Sequence, residues 1–537
     1  MRLINTTTLQ FREFLGAEIP LYAILSHVWS DSEISYEDYT AGRKQDGYGY
    51  QKITKICELA RETYKLDWAW VDTCCIDKRS SAELSEAINS MFEWYSKSTV
   101  CLVFLPDVHE LSQHDLSNVA QLRDHYEPTY PWYDDRGALT QVEVYTDKAS
   151  FVKSGEDIPF AVEEFLQSKW FTRGWTLQEL IAPRTVDFYN TSFQKLGHCD
   201  KNINDSRYSN IEGLSLHVLV QSATSIAREY LWFARSATPS CIAQRMSWAA
   251  KRTTTRPEDV AYCLLGLFGV NMPLLYGEGG EKAFERLQLE LLSQGTDQSL
   301  FMWQREGYTD RCEWHIGFSL LAPSPAHFYC CTDATSEPAY IDHLLARSVF
   351  KRTQRGLETE VTLPRGLLPP LGSSFWLLYP LCCSLSEKRL SCYLLIDVRV
   401  SHKTYEVRYA DGALSACGLM LLQLDKLEER RVLQHVLRNY FFVDNPLYES
   451  RRHAQWQDFF PSRGLWQTIR DLRHLCQRRR KIKLYFPPAA KITYGTGTGM
   501  EWLARGGQPT EVVENMATIS RLLSQWVYSR AQAFTAL

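Results

Sequence analysis

Apolar positions in the first third of the chain switch between two periods. Leu21–Trp29 (LYAILSHVW) is a strand-like run, and Tyr50–Tyr64 follows with Ile53, Ile56, Ala60 and Tyr64 on one helical stripe. Trp68–Ile76 (WAWVDTCCI) predicts a second strand. Ser80-x-x-Glu83 then reads as a capping box opening a helix whose Leu84, Ile88, Met91, Phe92 and Tyr95 recur at helical spacing. Val100–Leu105 predicts a third strand. Ala161–Gln167 regains a helical pattern, a short helix around Trp175–Ile181 is stopped by Pro183, and Thr185–Tyr189 predicts a fourth strand. Strands alternating with amphipathic helices predict a parallel sheet covered on both faces.

Between these elements, residues from about Pro106 to Asp157 are polar and without a period, which predicts a long surface insertion. Further on, Cys241–Lys251, Pro257–Phe268 and Glu281–Ser293 read as helices, the second with Thr255 as its cap and Pro257 in its first turn. From about Asp297 the pattern changes to short β-like runs such as Phe375–Leu381, Cys392–Val400 and Tyr405–Tyr409. The expected organisation is an α/β domain over 1–195 with its insertion at 106–157, a helical region over 196–296, and a mainly β domain over 297–537. No repeat of fixed period appears.

Composition narrows the functional classes. The 537 residues are 45% hydrophobic and 23% charged, enough to bury sizeable cores, and the net charge of −4 offers no basic field for nucleic acid. The N-terminal MRLINTTTLQFREF lacks an apolar signal core, and Leu367–Cys383 is broken by Pro369, Pro370, Gly372 and Pro380, so neither a signal peptide nor a membrane span is expected. Cysteine numbers 15, with adjacent pairs such as Cys74-Cys75 and no Cys-x-x-Cys spacing. That usage favours the reducing cytoplasm, or the nucleus, and argues against structural zinc.

The residue pattern also sets aside one acid. Glu179 lies one helical turn beyond Trp175 on an apolar helix, where a carboxylate needs either a partner or a task. Ligands of an open parallel sheet bind beyond the carboxyl ends of the strands, which would gather Ser26, His27 and Trp29 with Asp72, Thr73 and Cys74, facing Glu179. The candidates have functional and structural readings. Trp29 and Trp175 can stack on a nucleotide ring or wedge the core. Arg173 can fork onto phosphates or hold an acid of the insertion. His27 can be a base, a phosphate donor or a hydrogen-bonded strand end. Glu179 can act on substrate or pair with Arg173 or Arg184.

Weaker signals complete the set. Cys74 with His27 and Asp72 permits an activated thiolate, although a cysteine in a hydrophobic strand most simply fills space. Asp72 and Asp77 lack a third metal ligand nearby, Asp77 reads as a cap for the helix near Ser81, and no metal is expected. Gly277-Glu-Gly-Gly280 lacks the Lys-Ser/Thr ending of a P-loop and reads as a helix-entry turn. Arg478–Lys483 (RRRKIK) is a solvated edge, or an import signal or anion contact.

Tyr22-Ala-Ile-Leu-Ser-His-Val-Trp29, Trp70-Val-Asp-Thr-Cys-Cys-Ile-Asp77 and Trp170-Phe-Thr-Arg-Gly-Trp-Thr-Leu-Gln-Glu-Leu180 together resemble the heterokaryon-incompatibility (HET) domain of filamentous fungi. Gln244–Ala250, Glu258–Gly266 and Met272–Gly279 resemble the helical region that follows it in many members. Ser30 departs from the Gly that usually follows the Trp. The resemblance implies a part in programmed cell death when unlike fungal cells fuse, exercised through protein partners or self-association. A more distant resemblance links Trp175-x-x-x-Glu179-Leu180 to the Trp-Cys-x-x-Glu-Leu helix of TIR domains, with Thr176 in the Cys position. It implies a flavodoxin-like TIR fold and cleavage of the nicotinamide–ribose bond of NAD by Glu179, with NAD as substrate and no cofactor required. The alternative is a non-enzymatic signalling adaptor or receptor acting by protein assembly.

Overall fold

The computed structural model describes residues 1–109, 160–200, 216–227, 230–231, 240–303, 315–317, 320–336 and 350–364 (355 excepted), with further strand segments at 132–133, 139–140, 374–385, 390–401, 404–407, 417–423 and 479–486. The predicted insertion at 106–157 lies mostly outside them. Two compact units divide the chain: residues 1–291 with 323–332, and 292–322 with 333–537.

Seven strands make the sheet of the first unit: β1 (Arg2–Asn5), β2 (Phe11–Glu13), β3 (Ala23–His27), β4 (Trp68–Trp70), β5 (Val100–Phe104), β6 (Thr185–Tyr189) and β7 (Lys195–Asp200). Their spatial order is β2-β1-β4-β3-β5-β6-β7. The four central strands are parallel. Taken alone they run second, first, third, fourth, the start of a doubly wound order whose ligand crevice opens between the first and third strands. The antiparallel hairpin β1–β2 closes one edge and antiparallel β7 the other. The sheet is therefore α/β and mixed. β3, β5 and β6 are buried at every position, as strands covered on both faces must be.

Helix α1 (Tyr36–Thr40) follows β3, and α2 (Tyr48–Glu62) covers one face with Ile53, Ile56, Cys57 and Ala60 buried. The run Trp68–Ile76 is not one strand. Pairing stops at Trp70, and Asp72–Cys75 forms the short helix α3, in which the Cys75 N–H donates to the Val71 carbonyl at 2.8 Å. An apolar run alone does not separate a buried turn of helix from a strand. Helix α4 (Ser81–Lys97) is capped by Ser80, whose Oγ accepts the Glu83 N–H. Asp77, expected as the cap, instead accepts from Arg79, while Glu83 reaches back to the Asp77 N–H at 2.8 Å.

Helices α5 (Phe160–Gln167) and α6 (Thr176–Ile181), joined by a 3-10 turn at Lys169–Thr172, lie on the face opposite α2, and α6 packs against α4. Phe165, Trp170 and Phe171 meet Phe188 edge-on or tilted. The helical region supplies Ile242–Ala249, Asp259–Tyr262, Leu265–Phe268 and Gly280–Gln294. The expected helix over Pro257–Phe268 is two short ones, the first preceded by Glu258 in the capping position; Thr255 accepts from Arg173 instead. A Cβ on Gly266 would stand 2.1 Å from that of Phe92, so its absence lets this region seat against α4.

In the second unit the described residues form mainly antiparallel strands, the longest being Ser374–Leu385 paired with Leu390–Ser401. The basic run falls in strand Arg479–Phe486, paired antiparallel with Gly356–Pro364; Arg478 lies outside the described residues.

Candidate functional site

Adjacent residues of a strand point to opposite faces of its sheet, and β3 uses this to split two expected site residues. Ser26 faces α4 and α6. His27 faces the α2 side. Two buried clusters result, meeting at the carboxyl edge of the sheet around Asp72.

On the first face, the Ser26 Oγ accepts the Trp170 indole N–H at 2.7 Å and donates its own proton to Glu179. Glu179 is 7% exposed. Tyr95, whose hydroxyl donates to the Leu25 carbonyl at 2.9 Å, also lies within hydrogen-bonding reach of this carboxyl. Among the described residues no cation stands within ion-pair distance of Glu179, so the alternative of a pair with Arg173 or Arg184 is not realised. Burial pushes Glu179 up to about 8, helped by the negative charge of Asp72, while Ser26, Tyr95 and the positive charge of Arg252 pull against the rise.

Arg252, just beyond helix Ile242–Ala249, is half-buried. Its Nη1 donates to the Arg173 carbonyl at 2.8 Å and to Thr176 Oγ1 at 2.9 Å. Thr176 Oγ1 in turn donates to the Trp170 and Arg173 carbonyls at 2.5 and 2.9 Å. The turn entering α6 is fixed by these bonds and by a backbone pair, Gly174 N–H to Thr253 carbonyl at 2.8 Å and Thr253 N–H to Thr172 carbonyl at 2.7 Å. Trp175 is tied outward, its indole N–H donating to Asp259 at 3.1 Å. Arg173 Nη1 donates to Thr255 Oγ1 at 3.0 Å.

On the second face, Lys52 Nζ donates to Glu33 Oε1 at 2.5 Å, and His27 Nε2 lies 3.4 Å from Glu33 Oε2. The Ser30 N–H and hydroxyl also reach Glu33, at 3.1 and 3.0 Å, fixing the loop that leaves β3. Burial acts to raise the Glu33 carboxyl, but His27 and Lys52 outweigh it and hold the group well below the ordinary range. Gly49 admits this loop: a Cβ there would meet the Ser32 carbonyl oxygen at 2.2 Å.

Asp72, in the first turn of α3, links the two. Its Oδ2 accepts the Trp29 indole N–H at 2.8 Å, and its Oδ1 lies 3.9 Å from His27 Nδ1. Thr73 is buried with no hydrogen-bond partner at its Oγ1. Of the residues expected to face Glu179, Ser26 touches it and Asp72 acts on it by charge; His27, Trp29 and Arg173 bond elsewhere. Cys74 does not meet His27. Its thiol points to the Val71 carbonyl, and burial holds it well above the ordinary thiol range, the opposite of activation.

The Gly-rich turn holds an anion of its own chain. Glu258 Oε1 accepts the N–H groups of Gly277 and Gly279 at 2.9 and 3.0 Å, and both glycines take positive φ, +99° and +87°. Among the described residues, no three His, Cys, Asp or Glu side chains gather as a metal site, and no helix is long and apolar enough to cross a membrane.

Sequence reasoning missed Lys52, Glu33, Trp170 and Arg252 as members of the site. Lys52 carried a signal: it stands four residues before Ile56 on the apolar stripe of α2, where a cation needs a buried partner. Trp170 stood in the same run as Glu179. Arg252 gave no local sign.

Residues 22–179 match the family described as Heterokaryon incompatibility protein (HET). The chain carries a HET domain. Vegetative incompatibility protein HET-E-1 of Podospora anserina is 37% identical over 280 residues, covering 52% of this chain and 16% of that protein. Heterokaryon incompatibility protein 6, OR allele, of Neurospora crassa is 23% identical over 185 residues, 30% of this chain and 27% of that protein. The chain thus spans a minor part of the length of these relatives. No solved structure matches it. The matched segment ends on Glu179 itself, whereas Arg252, Thr253 and Asp259, which anchor the approach to that residue, lie beyond it.

Proposed function

We propose that this chain acts in fungal vegetative incompatibility as a cytoplasmic cell-death effector, and that its HET domain cleaves the nicotinamide–ribose bond of NAD at Glu179. The incompatibility role is carried from the two relatives. The observation that supports the chemistry is Glu179 itself: a buried carboxyl with no cation in ion-pair distance among the described residues, pushed up to about 8 and bonded to Ser26 on the switch-point strand of a doubly wound sheet. The central strand order also supports the TIR-like reading.

In this reaction nicotinamide leaves as a neutral base from a cationic pyridinium, and positive charge passes to the ribose. A carboxylate beside the sugar stabilises that charge, and a carboxyl near 8 ionises readily when a cationic substrate enters. Water then adds to the ribose and releases a proton. Ser26, held by Trp170, orients the carboxyl; Asp72 adds a second negative charge. The enclosure of Glu179 fits an effector that is silent until self-association or a protein partner opens the crevice. The same enclosure favours the second reading, an adaptor in which the cluster only stabilises the fold.

Nicotinamide release by the purified full chain, alone and under enforced oligomerisation, separates the two. Activity in the natural chain with a folded, inert Glu179→Gln variant supports cleavage. Equal release by both, or none from either while the cellular incompatibility reaction persists, leaves the adaptor.

A further inference from the structure

Around Asp72 and the turn entering α6, charges are satisfied in an unequal way. The acids are bonded by neutral donors: Asp72 by the Trp29 indole, Asp259 by Trp175 at 3.1 Å and Tyr276 at 2.9 Å, and Glu258 by the Gly277 and Gly279 N–H groups. The cations nearby are consequently left over. Lys78 lays its ammonium 3.4 Å from the centre of the Trp29 ring, Arg256 lies 4.5 Å over Tyr276, and Arg173 reaches only the hydroxyl of Thr255, one residue before Arg256. None of the three has a carboxylate oxygen within ion-pair distance among the described residues. Lys78 and Arg256 are exposed and close enough to feel each other's charge, and although Asp72 and Glu33 act on Lys78 and Glu258 and Asp259 on Arg256, none of these acids bonds either cation, which leaves both free to meet an anion. Trp29 is pinned edge-on by Asp72 and still keeps 50% of its surface exposed. A held, half-exposed indole beside three unpaired cations is complementary to a flat ring that carries phosphates.

We propose that Trp29, Lys78, Arg173 and Arg256 form the rim of a nucleotide site, with the base stacked on Trp29 and a diphosphate held by the three cations. This rests on the reading of Glu179 as the cleavage centre for the identity of the whole ligand: the rim takes the nucleoside-diphosphate end, and the sugar to be cleaved reaches inward past Asp72. Arg173, expected from the sequence as a phosphate ligand, joins Lys78 and Arg256, which were not.

Calorimetric titration of the full chain with ADP and with adenosine tests the rim. ADP is expected to bind at least about tenfold more tightly than adenosine. The double variant Lys78→Gln with Arg256→Gln, its fold checked by an unfolding midpoint like that of the natural chain, is expected to lose about that factor for ADP and nothing for adenosine. Trp29→Leu is expected to weaken both. Equal affinity for the two ligands, absent ADP binding, or an unchanged ADP affinity in the double variant overturns the proposal. Glu179→Gln retains ADP binding in this assay. A chain that binds ADP at the rim without ever releasing nicotinamide therefore overturns cleavage alone, and one that releases nicotinamide without the expected rim dependence overturns the rim alone.

Discussion

Glu33 and Glu179 approach the same strand, β3, from opposite faces of one sheet, and their surroundings treat the same functional group in opposite ways. Glu33 meets Lys52, His27 and the Ser30 N–H, and its charged form is held. Glu179 meets hydroxyl groups, an indole one bond removed and the negative field of Asp72, and its neutral form is favoured. Burial alone therefore does not decide the protonation of a carboxyl; the nearest formal charge does. Glu33 has the surroundings of an anchor for the loop that carries Trp29, and Glu179 those of a group that changes its proton.

The largest expected effect tests the anchored side. Lys52→Met leaves Glu33 buried without its cation, and a loss of about 3–5 kcal/mol is expected by chemical denaturation. A loss as small as that of an exposed ion pair would show that the Glu33 pair is no anchor. Ser26→Ala tests the other face. It strips the Trp170 N–H and Glu179 of their shared partner at once, and a cost of about 1–3 kcal/mol is expected. An unchanged unfolding midpoint would mean that the hydroxyl links nothing.

The smallest effect is a slope. Glu179 ionises at about 8 in the fold and near 4.5 when unfolded, so between these values the folded chain holds the extra proton and stability falls as pH rises. The fall is at most about 1.4 kcal/mol per pH unit. Glu33 runs the other way: its contribution is present above the unfolded value and is lost as pH falls below it. Denaturation midpoints of the natural chain and Glu179→Gln, measured between about pH 5 and pH 8, should diverge in favour of the variant as pH rises. Parallel curves would erase the contrast between the two acids.

The elements that periodicity could reach were legible. The apolar stripe of α2 and the cap at Ser80 predict their helices within a few residues, and Thr185–Tyr189 is found as read. The N-terminal hairpin was not, because Arg2–Asn5 and Phe11–Glu13 are too short and mixed to show alternation. Asp72–Cys75 was lost because a turn of helix wholly inside the core has no polar face to reveal its period.

In the site, Ser26 and Asp72 were legible from strand ends alone. That Ser26 and His27 must part to opposite faces follows from the two-residue repeat of a strand, and gathering them at one crevice overlooked it. Glu33 lay in a polar loop that looks like any solvated turn. Arg252 reaches Thr176 across 76 residues of chain, a distance no local pattern spans.

The bonds from Arg252 and Thr253 to the turn before Glu179, together with Trp175 to Asp259, set the size of what can be transplanted. A segment cut at residue 179 and joined to another protein would carry the acid without the struts that aim it. The smallest cassette expected to keep its character in a chimera is the first compact unit, residues 1–291 together with 323–332, whose Thr332 carbonyl accepts from Gln244. Recombination breakpoints between residues 179 and 240 should therefore yield hybrids that fold poorly, whichever tail they receive.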